Sequence, residues 1–118
     1  MNYSDAAQEI TEILPDFKNK LAPFMPQNPH NVIRTFTQCI RQMILNNEKS
    51  GLFKSLQEMN RIYSNGDIAL KNAVENIFIY SLDNFTAFCQ PEYRKVIFSH
   101  ISEDLRKSYS RQIYNHGI

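Results

Sequence analysis

Three histidines, two cysteines and two groupings of like charge are the side chains whose chemistry could amount to a function. Metal ligation needs several Cys, His or carboxylate groups converging on one point. His30, His100 and His116 fall in separate segments, and no Cys-x-x-Cys, His-x-x-x-His or Glu-x-x-His spacing occurs. His100 and Glu103 are one turn apart, but a helix break expected at Ser102 separates them. No resident metal or cofactor is therefore expected. Cys39 and Cys89 stand fifty residues apart in apolar surroundings, and Cys89 lies between Phe88 and Gln90 with no cation to lower its pKa. Both are expected as buried free thiols acting as small hydrophobes, and no catalytic residue is assigned.

The charged groups carry more. Asp5, Glu9, Glu12 and Asp16 recur at spacings of four, three and four, which puts them on one side of a first helix, with Lys20 as a counter-charge. Such a row is a solvated face, or an acidic ridge whose charge speeds encounter with a basic partner. An exposed ridge lacks the desolvation that tunes carboxylates for general acid–base work, so catalysis is not expected. Cations gather at the other end: Arg94, Lys95, Arg106, Lys107 and Arg111 against Glu92, Glu103 and Asp104, with Tyr93, Tyr109 and Tyr114 interleaved. Basic residues among aromatics can follow a phosphate backbone and stack bases. The local excess is small, Glu103 and Lys107 make an ordinary i,i+4 pair, and the formal net charge of +1 gives no bulk field for nucleic acid. Another protein is thus the expected partner. Nucleic acid is the alternative, and a membrane is not expected.

These groups must be positioned by helices. The chain has 118 residues, of which 42% are hydrophobic and 21% charged, which suits one globular domain over 1–118. Its three isolated glycines rule out Gly-x-Gly-x-x-Gly and Walker-type phosphate turns and leave little for a turn-rich sheet. Helical spacing dominates, and no period-two strand is found. A first helix is expected from an N-cap at Ser4, with Ala6, Ile10, Ile13, Phe17 and Leu21 inward and a kink or restart at Pro15. Pro23, Pro26 and Pro29 recur every third residue, so 22–31 is expected as an ordered proline-rich linker lying across the bundle, with a peptide ligand for aromatic grooves as the other possibility.

A second helix is expected over about 31–46 and, after a turn at Ser50 and Gly51, a third to about Ser64. Asn65 or Gly66 should close it in the left-handed conformation, and Asp67 should cap the next helix at once. So short a connection forces an antiparallel hairpin. The fourth helix, about 67–88, presents Leu70, Ala73, Val74, Ile77, Phe78, Ser81, Leu82 and Phe85 as its stripe. If buried, Asn72 and Asn76 would need partners for their amides. Pro91 opens a fifth helix. Ser102 caps a sixth, within a less tightly held segment 102–118. The expectation is an all-α, single-domain bundle of five or six helices with an antiparallel helical hairpin, HEAT-repeat-like, at its centre.

Met59-Asn60-Arg61-Ile62-Tyr63-Ser64-Asn65-Gly66-Asp67, then Leu70-Lys71-Asn72-Ala73-Val74 and Phe78-Ile79-Tyr80-Ser81-Leu82-Asp83-Asn84-Phe85, resemble a family of small uncharacterised bacterial all-helical proteins. Ile13-Leu14-Pro15-Asp16-Phe17 is similar to that family's early Leu-Pro motif, and the likeness covers about residues 10–100. The resemblance implies a helical-repeat-like bundle with no assigned activity, some members being immunity-protein-like. It brings no catalytic residues. The expectation is a non-catalytic protein-binding module, a bacterial toxin-neutralising immunity protein in its sharpest form. With no signal peptide and no apolar run that could span a bilayer, a cytoplasmic location is expected.

Overall fold

In the computed structural model, which describes residues 1–21 and 27–113, helices account for almost every buried apolar side chain. Helix α1 (Tyr3–Ile13) starts two residues earlier than the Ser4 cap implied. Asn2 is the N-cap, accepting from the Asp5 amide at 2.9 Å while Asp5 accepts from the Asn2 amide at 3.1 Å. This reciprocal box satisfies two otherwise orphaned donors. Leu14 leaves the helical conformation ahead of Pro15, and the chain restarts as α2 (Phe17–Lys20). The expected first helix is thus two, and the described residues hold seven helices rather than five or six.

Pro29 belongs to no linker. It is the first residue of α3 (Pro29–Leu45), where its missing N–H costs nothing, and Asn28 caps the helix by accepting from the Asn31 amide at 2.8 Å. Pro23 and Pro26 lie outside the described residues, as do Phe24 and Met25. Asn47 makes the turn into α4 (Lys49–Asn65) at φ 57°. Gly51, expected in that turn, instead sits in the first turn of α4, where a Cβ would meet the Met43 sulfur at 3.3 Å. Gly66 is not left-handed either. Its φ of −70° and ψ of 156° are extended backbone, and its lack of a Cβ serves the close approach of the Ile62 carbonyl. Asp67 then caps the next helix by accepting from Leu70 N–H, and Tyr63 donates to Glu75 at 2.6 Å across the hairpin.

Helix α5 is continuous over 68–86 and changes pitch inside. Ile68–Ala73 is α-helical, Val74–Phe78 is a π turn closed by Ile79 N–H to the Val74 carbonyl, and Ile79–Thr86 is α-helical again. The extra residue turns the later stripe by about 100°. Leu70, Ala73 and Val74 are buried as the spacing predicts. Phe78 and Leu82 are buried as predicted too, but Ile79 and Thr86 are the other buried residues from the π turn onward, and Ile77, Ser81 and Phe85 are only half-buried. Asn72 and Asn76 are exposed.

Helices α6 (Pro91–Ser99) and α7 (Glu103–Ile113) close the bundle. Asn60 of α4 holds the turn between them, donating to the His100 carbonyl at 2.8 Å and accepting from the Ser102 amide at 3.0 Å. Ser102 caps α7. Leu105, Ser108 and Tyr109 of α7 are buried, and Tyr109 donates to Asp83 of α5 at 2.6 Å. Helices α3, α4 and α5 form the centre, with α1 packed on α3 and α4. Phe17 meets Phe36 edge-to-face at 6.1 Å, bringing α2 onto α3.

Candidate functional site

The acidic row survives in part. Asp5, Glu9 and Glu12 line a groove of about 630 Å³ between α1 and the second half of α4, together with Glu58 and Arg61. Asp16 leaves the row because α1 ends before Pro15. It stands at the start of α2, where its side chain caps no amide and accepts from Asn19 at 2.9 Å. Asp5 is held by the capping box. Glu9 binds the Arg61 Nε at 2.9 Å, across the two helices. Glu12 is exposed.

Glu58 is the residue that changes the site. It projects from α4 under the α1 carboxylates, and its Oε2 is shut off from solvent without a hydrogen-bond partner. Burial, and then the neighbouring Glu9 carboxylate, push its carboxyl up to about 8, with Glu12 adding to the rise. Glu9 moves the other way, below the usual carboxylate range, held there first by its bond to Arg61. Two ionised carboxylates have no donor to offer each other. A proton on Glu58 supplies one, and it relieves the repulsion while Arg61 keeps Glu9 ionised. Periodicity along α1 could show the row but not Glu58. Glu58 and Arg61 are one turn apart on α4, and only the packing of α4 against α1 brings them to Glu9.

The basic set is dispersed. Arg94 turns inward, donating to the Tyr109 hydroxyl at 3.1 Å with its guanidinium 4.6 Å from the centre of the Phe98 ring. Lys95 is exposed on α6. Lys107 pairs with Glu103 at 3.5 Å, the i,i+4 pair that the spacing predicts. Arg111 lies 3.6 Å from Glu75 and 3.5 Å from the Ser108 hydroxyl. Arg106 is exposed beside Lys107 and Arg111 along α7, with Glu103 and Ser110 on the same surface.

Cys39 is buried, and burial raises its thiol above the usual range. Cys89 is half-buried, and its Sγ lies 3.6 Å from the Phe85 carbonyl. His100 stacks on Phe53, with ring centres 4.0 Å apart. Among the described residues no group of three His, Cys, Asp or Glu side chains is placed to hold a metal ion, and no helix is long and apolar enough to cross a membrane.

No curated protein and no solved structure matches the chain. A family model does, over residues 7–115, which include Glu9, Glu12, Glu58 and Arg61 but leave Asp5 outside. The chain belongs to that family, described as a domain of unknown function (DUF7674).

Proposed function

We propose that the protein is a non-catalytic protein-binding module that takes a basic segment of its partner into the groove between α1 and α4. The observation that carries this reading is the orphaned Oε2 of Glu58 beneath the carboxylates of Glu9 and Glu12. A lysine or arginine entering the groove brings the donors that this oxygen lacks. Glu58 then gives up its proton and pairs with the incoming cation, in surroundings less screened than open surface. In its finer form the partner is a toxin with a basic working surface, which the module covers inside the cell. What supports that form is the sequence resemblance to a family of which some members are immunity-protein-like.

Glu12→Lys is the discriminating variant, because Glu12 is exposed and its loss leaves the capping box and the Glu9–Arg61 pair intact. Capture of the native partner from the source cell should weaken while the circular dichroism of the domain is unchanged. Calorimetry of the captured complex in buffers of different ionisation heat should register up to one proton released near pH 7. Undiminished capture by Glu12→Lys would overturn the proposal.

Nucleic-acid binding through the C-terminal cations has less support. Arg94 is held by Tyr109, and Lys107 and Arg111 face Glu103 and Glu75. A salt-dependent mobility shift with DNA or RNA, lost on neutralising Arg106, would favour it instead.

A further inference from the structure

On another face of the bundle, α3 and α5 lie close along 68–78 and separate beyond the π turn. The gap is a groove of about 540 Å³. Thr37, Arg41 and Leu45 of α3 form one wall, at successive spacings of four. Ser81, Phe85 and Phe88 form the other, at spacings of four and three. Phe88 is 96% exposed and Leu45 62%, so two large apolar side chains stand in water at one end. Thr37 is only 4% exposed, and its hydroxyl has no hydrogen-bond partner. Arg41 makes no ion pair among the described residues, and no carboxylate lines the groove.

These features restrict the occupant. Most of both walls is helix, with Phe88 just past the end of α5, so an extended peptide would find no continuous ladder of free amides and carbonyls to pair with. An occupant that satisfies its own backbone is a helix, laid with its apolar side over Phe85, Phe88 and Leu45. The Arg41 guanidinium, which has no ion pair among the described residues, favours a carboxylate on that helix. In a face-to-face contact between two copies this lining would meet itself, and with no carboxylate in it Arg41 would gain no counter-charge, so self-association is disfavoured. We infer that the groove between α3 and α5 is a docking site for an acidic amphipathic helix of another protein. The module then has two unlike faces, one for a basic segment and one for an acidic helix.

The test uses the whole chain and a fluorescent helical peptide of about sixteen residues, roughly four turns, with leucines at i, i+4 and i+7 flanked by glutamates. Controls are the same composition in shuffled order and a version with lysine for each glutamate. Anisotropy should report binding of the acidic helix and weak or no binding of either control. Phe88→Ser and Arg41→Glu, both at exposed positions, should each weaken binding about tenfold or more. Arg41→Glu should also shift the preference toward the lysine peptide, a readout that a folding defect would not produce. Equal affinity for the shuffled peptide, no binding, or indifference to both variants would overturn the inference. So would a dimer in sedimentation that Phe88→Ser dissolves, because it would assign the groove to a second copy.

Discussion

Glu58→Gln should make the domain more stable at alkaline pH and leave it nearly unchanged at pH 5. Glutamine keeps the shape of a protonated glutamate and carries a permanent donor toward Glu9, so it mimics the acid form at every pH. In the native chain the Glu58 carboxyl stands at about 8, against 4.5 for its unperturbed form. A carboxyl raised on folding binds its proton more tightly in the folded state. Its stabilising contribution is therefore fully present below about 4.5 and is lost as pH rises through about 8. Glu9, lowered by Arg61, behaves oppositely, and its contribution is lost as pH falls below the ordinary carboxylate range. Between pH 5 and 8.5 Glu58 dominates the slope.

One proton per molecule sets a ceiling of about 1.4 kcal/mol per pH unit. Glu58 is only half-buried and Arg61 is exposed, so solvent screening reduces the effect well below the value that the full shift would give. We expect about 1–2 kcal/mol of stability to be lost by the native chain between pH 5 and 8.5, and little of it by Glu58→Gln. Urea midpoints of both proteins at pH 5, 6.5, 7.5 and 8.5 measure this directly, since the difference between them cancels the titrations that are not coupled to Glu58. Carbon-detected NMR of the Glu58 carboxyl gives its titration independently. A stability difference that stays flat with pH, or a Glu58 titration near the ordinary carboxylate range, would refute the reasoning. Either result would also remove the proton release expected on partner binding.

Two other substitutions probe how the frame around the groove is held. Asn60→Ala removes both bonds that fix the turn between α6 and α7 and should cost about 1–3 kcal/mol in urea unfolding; a loss under about 0.5 kcal/mol would mean that α7 is seated by its buried side chains alone. Gly66→Ala places a Cβ 2.5 Å from the Ile62 carbonyl oxygen and 2.9 Å from the Leu70 Cβ, so the hairpin must shift at a cost of about 1–3 kcal/mol. An unchanged or raised midpoint would show instead that restricting the unfolded chain prevails.

Where a residue acts on its own backbone, the sequence was readable. Asp67 caps α5, Ser102 caps α7, and Pro91 opens α6, because caps and prolines work within one turn. Pro15 divided the first helix for the same local reason. Asn2 was missed in favour of Ser4 because both are capping residues near the same turn, and the Asp5 side chain selects between them by bonding back to Asn2. The acidic row was legible as a spacing, since Asp5, Glu9 and Glu12 need only a helix to align. Its chemistry was not. Glu58 acquires its raised carboxyl from burial and from Glu9, forty-nine positions away in sequence, and no periodicity along α4 encodes which helix will lie across it.

The π turn in α5 shows how one local irregularity can separate core from surface. A regular helix would keep Ile77, Ser81 and Phe85 in line with Leu70 and Val74, facing inward. With the extra residue at Val74–Phe78, Phe78 and Leu82 stay buried while Ile79 joins that line in place of Ile77 and Ser81. Thr86 takes the inward place expected of Phe85, with its hydroxyl bonded to the Leu82 carbonyl so that no polar atom is stranded there. Phe85 is half-buried at the wall of the α3–α5 groove, and Phe88, the next residue on that side, is almost wholly in water. Burying a phenylalanine is worth about 1.5–3 kcal/mol, so a helix without the π turn would gain apolar burial inside the fold. The irregular helix forgoes that gain and places the same side chains beside Arg41, which has no ion pair among the described residues. An apolar side chain left outside while a threonine is accommodated within is the pattern expected where the surface, rather than the core, has work to do.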